Sequence, residues 1–195
     1  MLEKELWLYR ALNGRTIVFS KDIAEKSTTL TYGYDVALGI ASIIGKETAF
    51  GEAFHITSDE SYTWKEILEI YLDTIEKKTG MRPKVLLLDK SPHLEWIGAK
   101  WQVILDRYYN RRFDNSKIQQ YIDTSQFVRT ESGLISCLES FLCHPQFKKM
   151  GWGIQGTYDR ITGEWAPFSE ISIIKDCISY LLHRTVVPPK SKLSI

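Results

Sequence analysis

Residues 30–90, LTYGYDVALGIASIIGKETAFGEAFHITSDESYTWKEILEIYLDTIEKKTGMRPKVLLLDK, decide the fold of this chain. The stretch opens with a short extended run at residues 30–32. Val36, Ile40 and Ile43 then recur at the spacing of a helix. Asp35 stands where the capping residue of that helix is expected, and Gly45 follows as a helix-ending glycine. The first half of the stretch therefore predicts a strand and a capped helix.

The second half of the stretch predicts a strand at residues 53–56, a polar loop and a second capped helix. Thr63 and Glu66 match the capping box, in which the two residues bond each other's backbone. Gly80 ends the helix, and residues 84–88 form a strand whose apolar residues do not alternate. Such a strand is expected to be covered on both faces. Helix, strand, helix, strand is typical of an α/β protein with parallel strands.

Shorter patterns outside the stretch predict one more strand and several helices, and Asp114 stands at one predicted helix start. The strand is expected at residues 15–19, after which residues 21–29 form a polar connector. The helices are expected at residues 3–12, 94–105, 114–121, 132–143 and 168–183.

The loop at residues 57–62 is a candidate edge of a binding site, because ligands of parallel sheets bind beyond the carboxyl ends of the strands. Asp59 and Glu60 could serve there as a general acid and base. The alternative is a solvated loop whose polar residues only precede the capped helix.

Composition excludes several classes of protein. The chain has 44% hydrophobic residues and a net charge of +1, which argues against a basic nucleic-acid surface. No apolar run approaches a membrane span, and the first residues lack a secretory signal. Cys137, Cys143 and Cys177 show no paired spacing, so we expect reduced core cysteines and a cytoplasmic protein. We therefore expect no nucleic-acid partner and no membrane.

The chemical motifs are sparse. Residues 151–156 spell G-x-G-x-x-G, but no strand pattern precedes them and no apolar stripe follows. We therefore interpret them as a turn and not as a dinucleotide-binding loop. The four histidines are scattered without metal-ligand spacing, so no metal site is predicted.

Four stretches in order carry a resemblance to a known family: TYGYDVALGIASIIG, GEAFHITSDESYTWKEIL, RRFDNSKI and LISCLESFLCHPQF. Together they resemble the C-terminal half of extended short-chain dehydrogenase/reductases, and more narrowly the NAD-dependent epimerase/dehydratase family that acts on nucleotide sugars. The resemblance implies part of a Rossmann-like α/β fold with few short strands and predominating helices. Residues 1–150 would be the substrate-binding region. Residues 151–195, a Gly- and aromatic-rich segment with a last helix and tail, would pack on the same domain.

The resemblance also implies an NAD(P)-binding N-terminal half and a catalytic Tyr-x-x-x-Lys pair, and neither has a counterpart here. No lysine follows a tyrosine by four positions. We therefore expect a truncated chain that contributes the substrate-binding half, with no catalytic residue and no NAD(P) bound by this chain alone. One alternative is a non-catalytic binding or interaction remnant of the fold. Another is an unrelated helical α/β domain, which strand direction would test.

The resemblance places a phosphate-binding basic residue just before the FDNSK segment. Asp106 and Arg107 fall there, and Arg111 and Arg112 follow. The planar guanidinium group of arginine can donate two hydrogen bonds to one phosphate. These four residues are thus the candidate contacts to a nucleotide sugar, with a solvated basic turn as the alternative.

Half of such a fold would have bare strand edges, because its few strands would border a missing sheet. Bare edges pair readily with other chains. We therefore expect self-association or binding to a separate NAD-binding half.

Overall fold

The computed structural model describes residues 4–92, 99–147 and 150–186, and helices dominate this mixed α/β fold. The helices are α1 Lys4–Leu12, α2 Lys21–Ala24, α3 Gly33–Ile43, α4 Trp64–Thr79, α5 Ala99–Gln102, α6 Thr130–Cys143, α7 Trp152–Thr162 and α8 Ile174–Leu181. The strands are β1 Ile17–Ser20, β2 Ser27–Thr28, β3 Tyr62–Thr63 and β4 Val85–Leu88. The 3₁₀ and π-helical turns are Glu47–Ala49, Val103–Arg107, Ile118–Gln120, Thr124–Gln126, Phe168–Glu170 and Leu182–Val186.

The strands form two small pairs of opposite kind. Strands β1 and β4 run parallel, from Ile17 opposite Val85 onward, which confirms the parallel strands expected at these two places. Strands β2 and β3 are antiparallel and had not been predicted. The polar connector predicted at residues 21–29 therefore contains α2 and β2.

The strands predicted at residues 30–32 and 53–56 are wrong, since both segments are irregular. At the second segment, Ile56 packs against the bare backbone of Gly39 on α3. A Cβ atom at Gly39 would lie 2.4 Å from Cγ2 of Ile56. The apolar residue thus serves a helix contact and not a sheet.

Strand β4 is not covered on both faces, contrary to its apolar pattern. Val85 is 37% exposed and Leu87 is 45% exposed, whereas their β1 neighbours Ile17 and Phe19 are buried. Within the described residues β4 pairs with β1 alone, so its other edge is open. The difference arises because the main core covers β1 and, within the described residues, does not extend over this face of β4.

Helix α4 confirms the capping box. Thr63 Oγ1 accepts a hydrogen bond from the Glu66 amide at 3.2 Å, and the Glu66 carboxylate accepts one from the Thr63 amide at 2.6 Å. Gly80 ends the helix with a φ of 75°. The apolar face of α4 packs on β1 and α2 in the main core, whose buried members are Ile17, Phe19, Ile23, Ala24, Trp64, Ile67, Leu68, Leu72 and Val103.

Asp35 does not cap α3, which begins two residues earlier at Gly33. The aspartate lies inside the first turn and is buried. Its carboxylate accepts a hydrogen bond from the distant Val128 amide at 2.9 Å. The predicted end of the helix is confirmed, because Gly45 follows it with a φ of 73°.

The G-x-G-x-x-G segment is helical, so its interpretation as a turn is wrong. Gly153 and Gly156 lie within α7 and face α8. A Cβ atom at Gly156 would lie 2.4 Å from the Tyr180 carbonyl oxygen, a distance that real Cβ atoms do not reach. These glycines therefore allow two helix backbones to approach each other, a role that needs neither strand nor cofactor.

Several other predicted boundaries changed. The helix predicted at residues 114–121 is not formed. Asp114 instead accepts a hydrogen bond from the Ser116 amide in a turn, and a 3₁₀ turn follows at Ile118–Gln120. The helix predicted at residues 132–143 is confirmed as α6. That predicted at residues 168–183 is divided into a 3₁₀ turn and α8. The start of the helix predicted at residues 94–105 lies outside the described residues.

The cysteines are not core residues as a group. Cys137 and Cys143 on α6 are exposed, and Cys177 is partly buried. None of the described helices is both long enough and apolar enough to cross a bilayer.

A largely buried ionic cluster joins the first and last parts of the described chain. Its members are Arg10, Arg15, Asp159, Glu164 and Glu170, and we call them the end-to-end cluster. Arg10 contacts Asp159 at 2.6 Å and Glu164 at 2.9 Å. Arg15 contacts Asp159 at 3.3 Å and Glu170 at 3.1 Å. The cluster fastens α1 and the turn before β1 to α7 and the segment after it.

Candidate functional site

A cleft of about 280 Å³ lies between the loop at residues 57–62 and the basic segment, and we call it the loop cleft. The structure thus brings the predicted site edge next to a predicted phosphate contact. The residues that line it are Thr29, Ser58, Asp59, Ser61, Arg112 and Phe113.

Asn115 holds the loop beside the loop cleft with its side-chain amide. Its Oδ1 accepts hydrogen bonds from the Thr57 amide at 3.2 Å and the Thr57 hydroxyl at 3.0 Å. Its Nδ2 donates to the Thr57 carbonyl and to Asp59, each at 2.7 Å. The buried amide therefore supplies the bonds that a neighbouring strand would supply in a sheet.

Asp59 and Glu60 are both committed to the framework of the loop. Asp59 also accepts a hydrogen bond from the Thr124 hydroxyl at 2.8 Å. Glu60 accepts bonds from the Thr130 amide at 2.7 Å and from the Arg129 guanidinium at 3.1 Å. The two carboxylates face different partners, so the geometry supports loop anchors over a shared acid/base pair.

Ser61 is a further residue that lines the loop cleft. Its Oγ is buried and forms no hydrogen bond within the part of the chain that the structure describes. Buried polar atoms ordinarily have a partner, so an unpaired hydroxyl at a cleft is a candidate ligand contact.

The four basic-segment candidates separate into two groups. Arg112 is exposed at the loop cleft, and no ion pair involves it among the described residues. Arg107 lies over the Trp64 ring, with its guanidinium carbon 4.1 Å from the ring centroid. Arg111 forms an ion pair with Asp106 and bonds the β2 backbone through its amide, 2.9 Å from the Ser27 carbonyl. Of the four, Arg112 is therefore the residue that faces the loop cleft.

Phe113 adds an aromatic surface beside Arg112. Its ring is partly exposed and meets the His55 ring edge-on, with the centroids 5.0 Å apart. Asp114 follows, and hydrogen bonds from the Ser116 amide and hydroxyl hold the pKa of its carboxyl below the usual value. This rim thus combines a cation, a flat ring and an ionised carboxylate.

Asn115 and Ser61 were not predicted from the sequence. Asn115 lies in the quoted RRFDNSKI motif, but an asparagine looks alike in sequence whether it is solvated or buried. Ser61 lies just before the capping box of Thr63 and Glu66, and that motif already accounted for the polar residues of the segment. The described residues contain no group of three or more metal-ligating side chains placed to hold a metal ion.

Comparison with known proteins gives one structural similarity. No protein-family model and no curated protein matches the chain. Among solved structures, it is similar to a UDP-glucuronic acid 4-epimerase from Bacillus cereus, in complex with UDP-glucuronic acid and NAD. The identity is 16% and the TM-score is 0.48. The match covers 70% of this chain, which spans 39% of that chain.

Proposed function

We propose that this chain is the substrate-binding half of an NAD-dependent epimerase/dehydratase-like protein and that its loop cleft binds the diphosphate of a nucleotide sugar. One observation carries the proposal. Arg112 and Ser61 line the same cleft of about 280 Å³, and within the described residues neither the Arg112 guanidinium has an ion-pair partner nor the buried Ser61 hydroxyl a hydrogen-bond partner. Together they supply the charge and the hydrogen-bond donors that a phosphate group requires.

The size of the loop cleft limits which part of the ligand it encloses. Pockets that bury most of a drug-sized ligand have volumes of about 300–1,000 Å³, slightly above this one. We infer that the cleft holds the diphosphate, while the base lies outward against Phe113 and the sugar extends beyond the described walls. Asp106, Arg107 and Arg111 would then support the segment that presents Arg112.

We assign no catalytic residue to this chain. The sequence lacks a Tyr-x-x-x-Lys pair, so the proton transfer and the NAD(P) would come from an NAD-binding half supplied elsewhere. The open edge of β4, with Val85 and Leu87 exposed beside it, supports pairing with a strand of that half. The hydride step itself belongs to NAD(P) and not to these residues.

The second candidate function is a binding protein without catalysis. The framework bonds of Asp59 and Glu60 favour it, because they leave the loop cleft without a free general base. In this case the same nucleotide sugar would bind the same cleft. Addition of a separate NAD-binding half would then not produce turnover of the bound sugar.

Thermal melts with UDP-sugars, UDP and NAD test the proposal. A ligand that binds only the folded chain stabilises it by about 2.7 kcal/mol at a hundredfold excess over its dissociation constant. We expect a UDP-sugar or UDP to raise the melting temperature and NAD alone not to do so. A shift with NAD alone, or no shift with any of these nucleotides, would contradict the proposal.

Variants locate the binding. Arg112→Gln is expected to raise the dissociation constant by about 10- to 100-fold, because it removes a charge-assisted hydrogen bond. Ser61→Ala should raise the dissociation constant by about 3- to 10-fold. Arg129→Gln is the matched control, because Arg129 bonds Glu60 of the same loop but does not line the cleft. If all three variants bind the nucleotide with the same affinity, the ligand does not bind at the loop cleft.

A further inference from the structure

The loop cleft contains a negative charge as well as the positive charge of Arg112. Asp59 lines the cleft and is exposed. One of its carboxylate oxygens accepts a hydrogen bond from Asn115 Nδ2 at 2.7 Å, and the other accepts one from the Thr124 hydroxyl at 2.8 Å. Both donors are neutral, and Asp59 has no ion-pair partner in the part of the chain that the structure describes. Its charge therefore acts on any ligand in the cleft.

Two separate segments hold this carboxylate in place. Asn115 follows shortly after Arg112, and Thr124 begins the 3₁₀ turn Thr124–Gln126. Gln119 donates a hydrogen bond to Thr124 Oγ1 at 2.8 Å, so the proton of that hydroxyl remains for Asp59. Asp59 cannot turn away from a ligand unless these hydrogen bonds break. A group bound in the cleft thus meets both the carboxylate and the guanidinium.

We propose that Asp59 determines which diphosphates the loop cleft retains, by opposing the binding of free nucleoside diphosphates relative to nucleotide sugars. This rests on the proposed function, because the diphosphate must lie in the cleft. A nucleotide sugar is a diphosphate diester with one negative charge on each phosphate. The terminal phosphate of a free nucleoside diphosphate loses a second proton near about pH 6, so at neutral pH it brings one more negative charge.

The two charged residues of the cleft act on this additional charge in opposite directions. Arg112 alone would favour the more highly charged free diphosphate. Asp59 repels the same charge and so removes that advantage, which is a general way to exclude a competing ligand. The cleft would then remain available to nucleotide sugars when free nucleoside diphosphates are present.

The size of the cleft makes the repulsion large enough to measure. A cavity of about 280 Å³ is about 8 Å across if it is round, so a phosphate inside it lies within about 8 Å of Asp59. At about 7 Å, repulsion between two unit charges changes an affinity about 3-fold in bulk water and about 50-fold near a protein surface. Because salt screens part of this repulsion, we expect an effect of about 3- to 30-fold at low ionic strength.

Calorimetric titration of the full chain with UDP and with UDP methylated on its terminal phosphate tests the proposal. The methyl ester has the charge of a nucleotide sugar but no sugar, so a difference between the two ligands does not arise from sugar contacts. Divalent cations are removed, because they would neutralise the phosphates. The measured quantity is the ratio of the dissociation constant of UDP to that of its methyl ester.

Asp59→Asn removes the charge but keeps a side chain of the same shape that can bond both Asn115 and Thr124. It should lower the ratio by about 3- to 30-fold, because UDP gains more affinity than the ester. Arg112→Gln should raise the ratio. Asp123→Asn is the matched control, because Asp123 is a nearby exposed carboxylate that bonds Ser125 and does not line the cleft. It should leave the ratio unchanged, and circular dichroism melts show whether each variant folds.

The outcomes separate this proposal from the proposed function. If neither ligand binds the wild type, both proposals fail. If both ligands bind and Arg112→Gln weakens them, the proposed function stands. Asp59→Asn then decides: an unchanged ratio, with both affinities lowered by the same factor, would show that Asp59 only anchors the loop. An equal fall of the ratio in Asp123→Asn would also overturn the role of Asp59.

Discussion

Arg10 and Asp159 are 149 residues apart in the sequence, yet Nη1 of the arginine lies 2.6 Å from Oδ1 of the aspartate. Neither side chain is exposed to solvent. The second carboxylate oxygen of Asp159 accepts a hydrogen bond from the Tyr180 hydroxyl at 2.8 Å. A buried carboxylate needs such partners, because an isolated charge would be expensive to remove from water. The pair therefore determines how α1 and α7 lie together.

Removal of Arg10 should destabilise the fold strongly. Arg10→Met leaves the Asp159 carboxylate with incomplete compensation, and breaking one partner of a buried pair costs about 3–5 kcal/mol. Arg82→Met is the matched control, because Arg82 contacts three carboxylates at the surface, where an ion pair contributes about 0–1 kcal/mol. Urea denaturation measures both. Equal loss of unfolding free energy in the two variants would contradict a dominant buried pair.

Glu164 should make stability depend on pH in the acid range. Burial raises the pKa of this carboxyl, but hydrogen bonds from Thr16 and Thr162 and the charge of Arg10 outweigh burial and lower the pKa below 4.5. A carboxyl with a lowered folded-state pKa contributes stability above its unfolded-state pKa and loses it as the pH falls. Glu164→Gln should therefore flatten the decline in stability below about pH 4.5.

Denaturation midpoints in urea between neutral pH and about pH 3 measure this decline. Thr16→Val removes the hydroxyl that donates to Glu164 at 2.7 Å and should flatten the decline in part. If wild type and Glu164→Gln lose stability equally steeply, another carboxyl is responsible.

The glycines of α7 and α3 should differ in their tolerance of alanine. Gly156→Ala is expected to cost several kcal/mol, because the new methyl group would meet the rigid backbone of α8. Gly153→Ala should cost less, because its neighbours are the side chains of Ser179 and His183, which can move. Gly33→Ala meets nothing within 4 Å and should be neutral or slightly stabilising. Thermal melts rank the three, and a different order would show that α7 and α8 can separate at low cost.

Asn115 should be needed for ligand binding at the loop cleft, although it does not line the cleft itself. Asn115→Ala removes four hydrogen bonds to the loop and leaves partly buried backbone groups of Thr57 without this partner, at about 2–4 kcal/mol. Nucleotide binding should weaken in parallel. Asn13→Ala is the control, because Asn13 bonds the exposed end of α1. If Asn115→Ala binds the nucleotide as the wild type does, the loop at residues 57–62 is not part of the ligand site.

The sequence correctly predicted features that depend on residues only a few positions apart. The bond between Thr63 and Glu66 spans three residues, and Gly80 ends α4 by its own conformation. The parallel partners β1 and β4 were also expected as strands. The cap and the glycine depend on adjacent residues, and each strand was predicted from its own residues, whereas the cover of β4 depends on distant parts of the chain.

The errors concern residues whose partner is distant. Asp35 has the character of a helix cap, but its carboxylate bonds Val128, 93 residues away. Gly156 has the spacing of a nucleotide loop, but it serves contact with α8. Arg107 and Arg112 are alike in sequence, and only the position of Trp64 makes one a packing residue and leaves the other at the loop cleft. No local pattern encodes these contacts.

The end-to-end cluster also has a consequence for protein synthesis. Ribosomes add about 5–20 residues per second, so roughly 7–30 s pass between the synthesis of Arg10 and that of Asp159. During that interval Arg10 on α1 and Arg15 after it leave the ribosome before their carboxylate partners are made. Residues 10–15 are therefore made before their partners and reach their final place only after α7 has been made. Translation pauses before α7 would lengthen the time in which α1 is available to chaperones.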